Sequence, residues 1–163
     1  MNIYTDGSAN PNPGPGAFGV IALDNDNFFV YNIHRESSKE TTNNREELKA
    51  ILYSLKTFGV NIFEKKEEFV EIPYVFSDSA YAVNTFNSWM FNWEKNNWIT
   101  SSGKLAENID IIKEYYDLYS KGYRINLVKI PGHCGLMGNE LADEIAGGPP
   151  NYNEEYIDLW WKI

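Results

Sequence analysis

The sequence predicts an α/β fold in which helices cover a mixed β-sheet. Three short strand-like runs open the chain, and helical and strand-like segments alternate after them. The composition fits a globular interior: of 163 residues, 43% are hydrophobic and 23% charged, enough for one domain with a real core.

The elements follow in order. Asn2–Asp6 reads as a short strand that ends in a loop, Gly7–Gly16, rich in Asn, Pro and Gly. Ala17–Leu23 and Phe28–Ile33 are apolar runs separated by Asp24-Asn25-Asp26-Asn27, the pattern of a hairpin. After a polar stretch, Asn44–Phe58 predicts a helix, with Leu48, Ile51, Leu52, Leu55 and Phe58 along one face. Phe69–Ser77 predicts the fourth strand, Pro73 marking its entry or a bulge. Helices over Ala80–Trp93 and about Leu105–Lys121 come next, then a strand over Arg124–Ile130. A last short helix spans about Asn139–Ala146, and Gly147-Gly148-Pro149-Pro150 stops it.

Composition excludes some classes and strains others. No apolar run is long enough to span a bilayer as a helix, so no membrane partner is expected. The single cysteine, Cys134, cannot form an internal disulfide, and the N-terminus has no signal-like segment; both fit a cytoplasmic protein. A net charge of −9 argues against nucleic acid unless bound cations supply the missing positive charge.

Acidic residues near strand ends are the first candidates for chemistry. Asp6 closes the first strand and Asp78 the fourth, where open α/β sheets bind ligands. Helix geometry separates Glu46 from Glu47: at about 100° per residue, Glu46 points away from the apolar face toward water, while Glu47 lies roughly 75° from its centre, within reach of the sheet. The same reasoning cannot choose between Asp143 and Glu144, which flank their apolar face equally. Clustered carboxylates repel one another unless cations intervene, and hard oxygen ligands favour Mg²⁺ or Mn²⁺ over zinc. Two such ions about 4 Å apart suit phosphodiester hydrolysis.

Five blocks then resemble a known family in order: Tyr4-Thr5-Asp6-Gly7-Ser8, Asn12-Pro13-Gly14-Pro15-Gly16, Thr42-Asn43-Asn44-Arg45-Glu46-Glu47-Leu48, Ser77-Asp78-Ser79-Ala80-Tyr81, and Gly132-His133 with Gly138-Asn139-Glu140-Leu141-Ala142-Asp143. The chain resembles type 1 ribonuclease H, the bacterial and retroviral kind, up to about Gly147. The resemblance implies a ribonuclease H-like fold, a five-stranded mixed sheet flanked by helices, in a catalytic domain over residues 1–147. It implies a monomer that cuts the RNA strand of an RNA–DNA hybrid with two Mg²⁺ ions, Mn²⁺ being a possible substitute, leaving 5′-phosphate and 3′-hydroxyl ends. The carboxylates holding the metals fall on Asp6, Glu47, Asp78 and Asp143. His133 matches a mobile loop histidine that assists proton transfer or product release, work that suits an imidazole.

Substrate contacts implied by the resemblance are Gly7, Ser8, Asn12, Gly14, Asn43, Asn44 and Asn139, with Thr42 and Trp93 resembling a pocket for a phosphate of the DNA strand. Two departures stand out. The stretch Phe91–Lys104, basic in some relatives, carries only Lys95 and Lys104 against Glu94, and Ala80 replaces a longer polar side chain. Both imply weaker substrate binding. The tail, residues 148–163, carries Tyr152, Tyr156, Trp160 and Trp161; folding back on the domain is the simpler expectation, a protein partner the sharper one. Two rival readings stay open: another nuclease of the same fold, such as a 3′–5′ exonuclease or junction resolvase, and a catalytically silent binding domain. The Asn43-Asn44-Arg45 block and the Gly132-His133 loop speak against the first, and the four carboxylates against the second.

Overall fold

A computed structural model describes residues 1–64, 69–133 and 135–148. Five strands form one mixed sheet: β1 (Asn2–Ala9), β2 (Gly14–Leu23), β3 (Val30–Thr41), β5 (Tyr74–Ser77) and β7 (Asn126–Lys129), in the spatial order β3-β2-β1-β5-β7. β4 (Val60–Asn61) and β6 (Tyr123–Arg124) form a separate antiparallel ribbon. β1 runs antiparallel to β2 and parallel to β5, and so occupies the centre.

Helices cover both faces. Ile3, Val20, Val75 and Leu127 turn toward α1 (Asn43–Phe58), α2 (Ala80–Asn84), α3 (Met90–Lys95) and α4 (Ile109–Ser120), where they meet Leu48, Ile51, Leu55, Phe86, Met90 and Ile112. Alternation sends Tyr4, Ile21 and Leu23 to the opposite face, against Leu141, Ala142 and Ile145 of α5 (Met137–Gly147). Burying each large apolar side chain contributes about 1.5–3 kcal/mol.

The α/β class and the five-stranded mixed sheet match the sequence reading; several boundaries need correction. β1 continues past Asp6 to Ala9, because β2 begins at Gly14 and pairs with it throughout, Asp6 opposite Gly19. The polar stretch after Ile33, left unassigned by the sequence, continues the strand: β3 is the sheet's edge, so its outer positions face water and lack the apolar signal. Phe28 and Phe29, assigned to that strand, lie in the preceding turn. The fourth strand starts only at Tyr74. Pro73 has no N–H to donate, and pairing with β1 begins at Asn2 opposite Tyr74.

Arg124–Ile130 is two strands, since Arg124 pairs with Val60 whereas Asn126–Lys129 pairs with β5. The stretch Ala80–Trp93 is helical as expected and runs on to Lys95, with a π-helical turn over Thr85–Trp89. α4 begins four residues later than expected, because Leu105 bridges Ile99 and Asn108 takes a left-handed conformation at the helix entry. The tail's Tyr152, Tyr156, Trp160 and Trp161 lie outside the described residues. Among the described residues, no helix is long and apolar enough to cross a membrane.

Candidate active site

Four elements deliver the site. Asp6 lies on β1 beyond the last residue that pairs with β5, Tyr4 opposite Phe76, so the two strands part beneath it. Asp78 follows the end of β5 and fills that gap from the other side. Glu47 comes from the first turns of α1. Gly7 makes its approach possible: a Cβ there would stand 2.4 Å from the backbone atoms joining Glu46 to Glu47, so only glycine lets β1 and α1 touch. Gly19 does the same for α5. A Cβ on it would meet Ala146 N and Ile145 Cγ2 at 2.7 Å. With Gly19 beside Asp6 in the sheet, α5 brings Asp143 next to Asp6.

Oxygens of Asp6, Glu47 and Asp78 lie within 4.8 Å of one another, and Asp143 hydrogen-bonds to the Asp6 carboxyl. Burial pushes the Asp6 carboxyl up to about 8, helped by the Asp143 hydrogen bond and the charge of Asp78. Glu47 is raised in the same direction, by burial and then by Asp6 and Asp78, although the Gly7 backbone N–H bonds to it. The Glu47 Oε2 atom is buried and has no hydrogen-bond partner. An orphaned buried carboxylate oxygen is costly, and the charged groups acting on Asp6 and Glu47 are themselves carboxyls. An all-oxygen anionic donor set of this kind fits a hard divalent cation.

Other predicted residues distribute unevenly. Asn12, Thr42, Asn43 and Asn44 share a cleft of about 620 Å³ with Pro13, Glu107 and Asn108. The β1–β2 loop is tied to α1 there: Asn43 Oδ1 accepts from Ala9 N at 2.7 Å, and Asn12 Oδ1 accepts from Asn43 N at 3.1 Å. Glu107 and Asn108 were not foreseen, since nothing in the local sequence says that the α4 entry returns to this loop. The Arg45–Asp110 ion pair, at 2.5 Å, fastens it. Trp93 lies elsewhere, in a cleft of about 770 Å³ with Asn92, Asn96 and Thr100, so it does not share a cleft with Thr42. Gly7 and Gly14 are buried backbone positions, Ser8 is half-buried, and Asn139 is buried within α5.

His133 is exposed, in a left-handed conformation (φ 52°) on the loop before α5. That loop sits against the acidic cluster, for a Cβ on Gly132 would be 3.2 Å from Asp78 Oδ2. The expectation that Glu46 faces water is overturned: it is 0% exposed. Helical periodicity measures one apolar face, but the end of β3 wraps the first turn of α1 and buries the other side as well. Thr41 donates to Glu46 at 3.2 Å, and Lys49 pairs with it at 3.0 Å.

Comparison with known proteins identifies the family. The RNase H family model matches residues 1–148. A ribonuclease H of Caldanaerobacter subterraneus subsp. tengcongensis is 37% identical over 154 residues, covering 90% of this chain and 88% of the relative. A ribonuclease HI of Haemophilus influenzae is 37% identical over 150 residues, covering 90% and 86%. Among solved structures, the PFV RNase H domain superposes with a TM-score of 0.70 at 22% identity, covering 90% of this chain and 91% of that one. LC11-RNase H1 in complex with an RNA/DNA hybrid gives 0.63 at 22% identity, covering 90% and 93%. With the family model matched from end to end of the described fold, this chain belongs to the ribonuclease H family.

Proposed function

We propose that the protein is an endonuclease that hydrolyses the RNA strand of RNA–DNA hybrids, with Asp6, Glu47, Asp78 and Asp143 holding two Mg²⁺ ions, or Mn²⁺ in their place. The observation that carries this reading is the meeting of the Asp6, Glu47 and Asp78 carboxyls, with Asp143 beside Asp6, one buried oxygen left unpartnered and one carboxyl raised to about 8. Bound cations of this kind neutralise charge building on a phosphate and make water acidic enough to attack at neutral pH.

The chain's own groups do the rest. The buried interior of β1 and the first turns of α1 keep Asp6 and Glu47 in fixed positions, so little reorganisation accompanies reaction. Asp78, half-buried, and Asp143, exposed, form the side open to a phosphate backbone. His133, exposed on the loop against Asp78, carries a proton to or from the reacting phosphate. The cleft formed by Asn12, Thr42, Asn43 and Asn44 offers amide and hydroxyl groups that suit sugar and phosphate oxygens along a minor groove. Cleavage leaves a 5′-phosphate and a 3′-hydroxyl.

The test is cleavage of an end-labelled RNA strand presented alone, in duplex RNA and in an RNA–DNA hybrid, with and without Mg²⁺. Internal cuts confined to the hybrid and dependent on metal are expected. Terminal trimming would indicate an exonuclease, and no cutting with either Mg²⁺ or Mn²⁺ would remove the enzymatic reading.

A further inference from the structure

Glu46 has no part in the site described above, yet it is buried completely while carrying a carboxylate. Its Oε2 accepts from Thr41 Oγ1 at 3.2 Å and lies 3.0 Å from Lys49 Nζ. Lys49 also donates to Ser38 Oγ at 2.8 Å. These contacts tie the first turn of α1 to the end of β3. On its other side the same turn is gripped by β1, whose Gly7 touches the peptide between Glu46 and Glu47. A buried ion pair contributes little net stability against an apolar alternative, so its use is better sought in fixing geometry.

Geometry matters at this point in the helix. A first turn has few backbone hydrogen bonds to hold it; here they include Glu46 N to Thr42 O at 3.1 Å and the Thr42 cap on Arg45 N at 3.1 Å. Glu47, one residue on, must hold its carboxylate among those of Asp6 and Asp78 against their repulsion. A supporting contact that tolerates about an ångström of slack is enough to spoil such a site.

We propose that Glu46 is a positioning residue, which with Thr41, Lys49 and Ser38 fixes the peptide that carries Glu47 and so sets the geometry of the cation site. The inference rests on the reading that the four carboxylates bind divalent metal. Its test is calorimetric titration of substrate-free protein with Mn²⁺, using wild type, Glu46→Ala, Glu46→Gln and Thr41→Val. Leu55→Ala, a core truncation toward the far end of α1, serves as the stability control.

Glu46→Ala is expected to weaken Mn²⁺ binding by about ten- to a hundredfold, the range for groups that orient metal ligands, and Thr41→Val by several-fold. Glu46→Gln keeps an oxygen acceptor for Thr41 and Lys49 and is expected to recover most of the affinity. Leu55→Ala is expected to lower stability and leave Mn²⁺ affinity unchanged. Folded Glu46→Ala protein that binds Mn²⁺ like wild type overturns the proposal, as does an equal loss in Leu55→Ala. Should Glu46→Ala not fold, unchanged affinity in Thr41→Val overturns it. Absence of Mn²⁺ uptake by the wild type itself would strike the metal-site reading first, and this inference with it.

Discussion

Replacing Asp6 by Asn is expected to make the metal-free protein more stable at pH 8 while abolishing cleavage. Asp6 is 6% exposed, and its carboxyl stands at about 8 instead of 3.8, through burial, the Asp143 hydrogen bond and the charge of Asp78. Between those two values the folded state holds a proton that the unfolded chain has released. Stability therefore falls as pH rises through that window, being fully present only below the unfolded value. At pH 8 the ceiling on the penalty is on the order of 5 kcal/mol, at about 1.4 kcal/mol per tenfold change in proton affinity. Water entry and sharing of the proton among coupled acids reduce this, so a gain of roughly 1–3 kcal/mol is the working figure. For a chain of this size that raises the melting temperature by roughly 3–10 °C. The assay is thermal unfolding in chelator near pH 8 and again near pH 4. The gain should vanish at the lower pH, where the native Asp6 carboxyl is uncharged. An Asn variant no more stable than wild type at pH 8, or equally favoured at both, would refute the reasoning.

Asp78→Asn should remove one of the three mutually close carboxylates and cut hybrid cleavage by at least the order of a hundredfold, the loss already typical of groups one shell further from a metal. Single-turnover assays at saturating metal would check it. Gly7→Ala would drive a methyl to 2.4 Å from rigid backbone of α1; overpacking of this kind costs about 1–3 kcal/mol or more in a denaturant titration. Arg35 donates to the carbonyls of Ile145 and Gly148, each at 3.0 Å, at the C-terminal end of the helix carrying Asp143. Arg35→Met should therefore cost about 1–2 kcal/mol and speed amide exchange in α5. Glu94→Lys, in the weakly charged stretch beside Lys95, should tighten hybrid binding at low salt and steepen its salt dependence by about one or two counterions.

Much of this architecture is written in residue patterns, and the failures have physical causes. Strands buried on both faces, such as Ala17–Leu23, and the helix carrying Leu48, Ile51 and Leu55 announce themselves because burial demands a continuous apolar run or stripe. The edge strand β3 does not, since half its surface meets solvent and the sequence after Ile33 shows only a polar stretch. Glu47 is legible from helical phase alone. Glu46 is misread by the same rule, because phase cannot register the wall that β3 raises behind the first turn. Asp143 and Glu144 are equivalent by periodicity; the family resemblance favours Asp143, whose contact with the Asp6 carboxyl is set by tertiary packing that helical phase does not record. Glu107 and Asn108 reach the Thr42 cleft only through the long path of α2 to α4, which leaves no local trace.

The order in which the carboxylates occur along the chain makes the site a property of the finished molecule. Asp6, Glu47 and Asp78 can assemble once β1, α1 and β5 have met, but Asp143 arrives on α5, the last described element. On the proposed assignment, seating that helix over Gly19 would be the step that completes the constellation. During synthesis the nascent protein would pass through a long interval in which most of its sheet exists and none of its cutting power does. On the proposed assignment, hydrolysis of a hybrid would report more than the presence of four acids: it would signal that α5 has docked.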